Sequence, residues 1–187
     1  MRFYGLCPFM VIATAAHAET LTLGAAADSY STQALAASSD AFGLEMLVAS
    51  TSERGSERWP PAAVVGISDG PDRRNSLQLF LVREGMSRVS VGLRMVLDGV
   101  EVKTQEIGAL PAFGPATITL SFREGNASIQ VNPNPPIRVT TPFDRAIPYV
   151  AVNSCTVRFD WKLGEKLGGQ PPSVTTGWPA QRSRARA

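Results

Sequence analysis

Histidine is almost missing from this chain. Among 187 residues there is one histidine, His17, and there are two cysteines, Cys7 and Cys155. His17 and Cys7 both fall in residues 1–18, which read as a secretory signal peptide. Arg2 supplies the charged start, residues 3–13 an apolar run, and Ala16-His17-Ala18 a small-x-small cleavage site. Removing that segment leaves no imidazole and a single thiol. Histidine-based triads, His-ligated metals and intramolecular disulfides are then excluded. Tyr4-Gly5-Leu6 is a poor lipobox ahead of Cys7, so no lipid anchor is expected.

Charge is also scarce, at 18% of residues against about 25% in an average chain. The only lysines are Lys103, Lys162 and Lys166, with no S-x-x-K among them, which leaves serine chemistry without a base. The basic excess is confined to the ends, at Arg2, Arg182, Arg184 and Arg186; elsewhere acids slightly outnumber bases. Such a body has no electrostatic reason to hold nucleic acid. After the signal no stretch approaches roughly 18 uninterrupted apolar residues, so no transmembrane segment is expected.

Alternation is what the chain does have. Residues 19–23 and 42–48 alternate, and 63–67 form a short apolar run. Residues 77–82 and 89–97 read as strands, and Asp98-Gly99 then favours a type I′ hairpin that sets Leu97 opposite Val100 and Met95 opposite Val102. Residues 117–123 alternate again. A turn at Gly125-Asn126 pairs Phe122 with Ile129 and Leu120 with Val131. Residues 132–136, Asn-Pro-Asn-Pro-Pro, must be a loop, with a short edge strand at 137–139. Residues 149–161 read as one long extended segment, with Val150, Val152, Val157 and Phe159 buried. Residues 24–40 are rich in Ala and Ser and predict loop, with at most a helical turn near 33–37. No amphipathic helix of usual length appears. The expected architecture is all-β: an antiparallel β-sandwich of jelly-roll type, one domain over residues 19–167, followed by a disordered basic tail at 168–187.

The segments VVGISDG, SLQLFLVREG, VSVGLRMVLDGVEV, ATITLSFREGNASIQV and VNSCTVRFDWKL, between residues 64 and 163, resemble in order the concanavalin A-like, or laminin-G-like, jelly roll. The resemblance is one of strands and turns. It implies lectins, glycan-binding modules, adhesion domains or glycosidases, and so constrains function only weakly.

Several chemistries can be set against the residues. The glucanases of this superfamily place acids two apart on one strand, and here no two acids are spaced i, i+2. Asp69, Asp72 and Asn75 could offer oxygen ligands to calcium, but Asp-Gly-Pro-Asp is also an ordinary turn, and neither metal nor cofactor is expected. Cys155, in an apolar strand, reads as a buried inert thiol. Asn126-Ala127-Ser128 matches a glycosylation sequon, with Asn126 explained by the hairpin turn. Sugar binding needs aromatic plates beside polar groups. Tyr30, Trp59, Phe143, Tyr149 and Trp161 are the aromatics to consider, and Trp59, Tyr149 and Trp161 are taken as the ligand-binding candidates. Trp59 could instead cap the sandwich end against Pro60 and Pro61, and Trp161 could be core edge.

The leading expectation is a periplasmic or secreted, non-catalytic module that binds polysaccharide or another envelope ligand. The second is an envelope assembly protein that recruits a protein partner by strand addition. The third is a glycoside hydrolase using carboxylates from separate strands.

Overall fold

A computed structural model of the chain describes residues 18–53, 55, 59–85, 88–111 and 115–164. The signal-like residues before Ala18 and the expected tail at 168–187 lie outside them.

Among the described residues, twelve strands form two six-stranded antiparallel sheets. In chain order they are β1 (Ala18–Gly24), β2 (Tyr30–Ala34), β3 (Ala41–Glu53), β4 (Ala62–Ser68), β5 (Ser76–Glu84), β6 (Arg88–Leu97), β7 (Val100–Pro111), β8 (Ala116–Arg123), β9 (Asn126–Val131), β10 (Ile137–Thr140), β11 (Ile147–Asn153) and β12 (Cys155–Gly164). The first sheet runs β1-β12-β3-β8-β9-β10 and the second β2-β11-β4-β5-β6-β7. No helix occurs among the described residues, and none is therefore long and apolar enough to cross a membrane.

Alternation decides which side chains meet between the sheets. From the first sheet come Leu44, Met46, Ile118, Leu120, Ile129, Val157 and Phe159; from the second come Val65, Ile67, Leu77, Leu79, Val91, Leu93, Val150 and Val152. The outer side of the first sheet is polar in the usual way, with Glu45, Thr117 and Arg158 exposed.

The segment 149–161 is two strands rather than one. Ser154 adopts a left-handed φ of 52°, and the chain passes there from the second sheet to the first. Inward residues change parity at that point, from Val150 and Val152 to Cys155, Val157 and Phe159. A second crossover runs beside it. The turn after β1 is tied to Ser154, whose Oγ accepts from the Asp28 amide at 3.0 Å and whose own amide donates to the Ser29 carbonyl at 3.1 Å. The expected loop or helical turn at 24–40 is thus partly a strand: β2 pairs with β11 along Tyr30–Ala34. Its sequence carries no apolar face, and none of its residues is fully buried.

Both hairpins form, with altered registers. Asp98 and Gly99 take φ of 52° and 79°, the type I′ geometry, and Leu97 lies opposite Val100. A β-bulge then places Met95 opposite Lys103, leaving Val100 and Val102 exposed. In the second hairpin Glu124 and Gly125, with φ of 44° and 78°, make the turn. Phe122 pairs with Ala127 and Leu120 with Ile129. Asn126 is therefore the first residue of β9 and not a turn residue. Moving a turn by one residue shifts the partner strand by two, which keeps every side chain on its face. Hydrophobic pattern alone does not resolve that choice.

On the outer side of the first sheet, Thr20 Oγ1 donates to Asp160 Oδ1 at 2.6 Å and Arg158 Nε at 3.0 Å. These bonds, that from Thr20 first, hold the Asp160 carboxyl below the usual range. A depressed folded value makes the stabilisation complete above the unfolded value near ~3.9 and lost as pH falls through the folded one. Edge strand β1 should consequently exchange its amides faster at pH 3 than at pH 6, after correction for intrinsic rates, and Asp160→Asn should abolish the difference. Equal protection at both pH values would refute it.

Candidate functional site

The second sheet departs from polar-out alternation. Strands β4 and β11 are buried on both faces. Register places Tyr149 beside Gly66, Gln78 and Arg94 in one cross-strand row, and Ala151 beside Val64, Phe80 and Gly92 in the next. All of these point away from the core. Val64, Tyr149 and Ala151, with Phe80 packed on them, make a second apolar cluster there.

Two glycines shape this outer face. A Cβ on Gly66 would lie 2.7 Å from Tyr149 Cζ, and one on Gly92 would lie 2.0 Å from Phe80 Cζ. Each ring therefore rests across bare backbone, the close approach that makes glycine useful inside a strand. Tyr149 is wholly covered, Phe80 half-buried.

The polar groups are ordered over that floor. Gln78 Nε2 donates to Ser76 Oγ at 2.8 Å, and Arg94 donates through both Nε and Nη2 to Gln78 Oε1. Arg94 Nη1 lies 3.6 Å from Glu101 Oε2. From the loop at 69–75, Arg73 stands 5.5 Å over the Tyr149 ring and donates Nη1 to Thr32 Oγ1 at 2.7 Å. Arg73 itself has φ of 56°. Left-handed backbone costs a non-glycine residue about 1–2 kcal/mol, comparable to a partly desolvated cation–π contact of about 0.5–2 kcal/mol. The hydrogen bond to Thr32 adds to the favourable side.

The Tyr149 hydroxyl is buried beside Ser76, close enough to feel it but without a partner at full hydrogen-bonding geometry. Burial, with Tyr30 acting in the same direction, pushes its pKa up to about 12 against the pull of Ser76, Arg73 and Arg94. Burial also raises the phenol of Tyr30, opposed by the same arginines and Thr32; its side chain stays largely exposed at the rim.

The three sequence candidates do not share a face. Tyr149 lies at the centre of this one. Trp161 points between the sheets and packs in the core, because β12 is inward at odd positions; it is removed from the ligand set. Trp59 is half-exposed, next to Pro60, whose carbonyl accepts from Asn153 Nδ2 at 2.9 Å. Phe143 is buried against Phe122. Sequence reasoning missed Arg73, Gln78, Phe80 and Arg94. Two signals pointed to them: glycines inside strands, and a polar Gln78 in an otherwise apolar run.

The oxygens considered for calcium are occupied within their turn. Asp69 Oδ2 accepts from Asn75 Nδ2 at 2.6 Å, Asn75 Oδ1 from the Asp98 amide at 2.8 Å, and Asp72 Oδ1 from the Arg74 amide. Among the described residues no group of three His, Cys, Asp or Glu could hold a metal ion. Cys155 is buried and free, its Sγ donating to the Ala62 carbonyl, and burial pushes its pKa up. It lines a small apolar recess of about 60 Å³ at one end of the sandwich, with Val48, Leu81, Val89 and Val157.

No protein-family model and no curated protein matches the amino-acid sequence. Solved structures do match in shape. Carbohydrate binding module CBM66 from Bacillus subtilis superposes with a TM-score of 0.52 at 13% identity, over 72% of this chain and 83% of that one. The fold is the concanavalin A-like jelly roll. The metal-free Emp46p carbohydrate recognition domain shares this jelly roll at a TM-score of 0.52 and 16% identity, over 75% of this chain and 79% of that one. A. japonicus CB05 superposes at a TM-score of 0.58 and 12% identity, over 86% of this chain and 28% of that one. At these identities the jelly roll alone is common to them.

Proposed function

We propose that this chain is an exported, non-catalytic binding module whose second sheet takes a carbohydrate on its outer face. The observation that carries the reading is the inverted chemistry of that face. An unliganded outer sheet surface is ordinarily polar and solvated, but here the half-buried Phe80 packs over buried Val64 and Ala151, beside a fixed Gln78–Arg94 pair. Sugar C–H faces pack on rings while hydroxyls need polar partners, and on this face Phe80 and Tyr30 are the aromatics with accessible surface. The jelly roll shared with CBM66 and the Emp46p carbohydrate recognition domain supports it. Residues 1–18 support export to the periplasm or medium.

Strand addition has less support. The long edge strand β7 carries Glu101, Lys103 and Glu106, and its pairing with β6 is interrupted by two bulges, both devices that discourage edge pairing.

A glycan array followed by polysaccharide pull-down tests the reading. Binding is expected, and Phe80→Ala should weaken it tenfold or more while Trp59→Ala, at the loop end, changes it little. Absence of glycan binding would end the proposal; loss with Trp59→Ala and not Phe80→Ala would move the site.

A further inference from the structure

Resting on that reading, we infer that the ligand is an acidic saccharide whose carboxylate is held between Arg73 and Arg94. Both guanidinium groups stand over the same floor. No carboxylate among the described residues pairs with Arg73, whose contacts are the Thr32 hydroxyl and the Tyr149 ring. The one acid beside Arg94, Glu101, is 3.6 Å away and half-exposed, while Glu106 on the same edge strand is engaged by Arg88 at 2.7 Å. Two cations against one acid leave a net positive charge over this floor, and Arg73 is the one without a carboxylate partner. Gln78 takes the Nε and Nη2 donors of Arg94, so Arg73 supplies the planar fork that matches a planar carboxylate and Arg94 adds charge beside it.

The backbone supports the same conclusion. Arg73 occupies a left-handed position that glycine or asparagine fills with less strain. The turn that holds it is braced independently, by the Asp69–Asn75 contact and by the Gly99 amide donating to the Arg74 carbonyl at 2.8 Å. Turn formation thus does not require an arginine at position 73, and an observed strained residue held over the outer face of the sheet points to function. Beneath it, the Tyr149 hydroxyl is buried with only Ser76 nearby and no partner at full hydrogen-bonding geometry. When Arg73 turns from the ring to a ligand carboxylate, that hydroxyl gains an acceptor. Phe80 and Tyr30 then flank the sugar ring. No bond is made or broken.

Calorimetric titration with oligogalacturonate, with the same oligosaccharide after reduction of its carboxyl groups, and with dextran sulfate tests this. The oligogalacturonate should bind at least tenfold more tightly than the other two. Arg73→Gln and Arg94→Met should each remove most of that preference, with circular dichroism unchanged. Tyr149→Phe should raise the melting temperature of the free protein yet weaken oligogalacturonate binding, opposite signs that a purely structural role does not produce. Equal affinity for the acidic and reduced sugars, or indifference to both arginine changes, would overturn the inference while leaving a glycan-binding module standing. Tighter binding of dextran sulfate would overturn the choice of carboxylate. Binding of no saccharide would remove the underlying reading and this inference together.

Discussion

Truncating Phe159 to alanine should lower the unfolding free energy by about 3–5 kcal/mol. Phe159 is fully buried, pairs across strands with Val48 and Leu21, and sits where the two sheets face each other. The loss combines the transfer energy of the ring with a cavity that surrounding strands cannot collapse into, since both sheets are held by their ladders. Domains of this size are stable by about 5–15 kcal/mol, so the loss is a large share of the total and should lower the unfolding midpoint markedly. Urea denaturation measures it directly. Phe80→Ala is the internal control: that ring is half-buried on the outer face, and its removal should cost far less. A loss below about 1.5 kcal/mol for Phe159→Ala, in the range of conservative core swaps, would mean that the sheets do not enclose a common interior.

Gly66→Ala should destabilise the protein by about 1–2 kcal/mol, and with it the candidate site. The added Cβ would sit 2.7 Å from Tyr149 Cζ and 2.9 Å from its hydroxyl. That ring is enclosed beneath Arg73 and has nowhere to swing. Overpacking of this kind costs about 1–3 kcal/mol, while replacing glycine within a strand returns about 0.5–1 kcal/mol of chain entropy. The first effect exceeds the second. For a domain of this length the melting temperature should fall by about 2–8 °C. Gly92→Ala makes the same change over Phe80, whose half-exposed ring can swing aside. Its stability should stay near that of the parent while saccharide binding is lost. Thermal melts of the two variants side by side distinguish a pinned ring from a free one. Equal melting temperatures would show that Tyr149 is not held as described.

Much of the sandwich was legible from residue order. Alternation placed Leu120, Phe122, Val91 and Leu93 on inward faces, and Asp98-Gly99 identified its hairpin, because side-chain parity and left-handed turn residues are local properties. The errors have physical causes. The 124–125 turn was placed one residue late because a two-residue register shift leaves parity intact. Ser154 was read as part of one strand because a change of sheet is only a positive φ, and serine does not announce one. Strand β2 was missed because its pairing partner, β11, lies more than a hundred residues away in sequence.

The candidate site was barely legible. Its residues come from β2, β4, β5, β6, β11 and the loop at 69–75, and no sequence window contains more than two or three of them. Tyr149 stood out as an aromatic, but whether it faced core or ligand depended on where the inward parity changes in the β11–β12 segment. Trp161 lies on the other side of that change and faces inward.

By itself, the amino-acid order determined that this is an all-β sandwich with an apolar interior, because the spacing of apolar side chains acts over a few residues and needs no distant partner. Only the tertiary structure decided that Arg73 and Arg94 stand together over Tyr149 and Phe80. Convergence of that kind depends on strand order and sheet exchange, which arise from long-range pairing and leave no local trace.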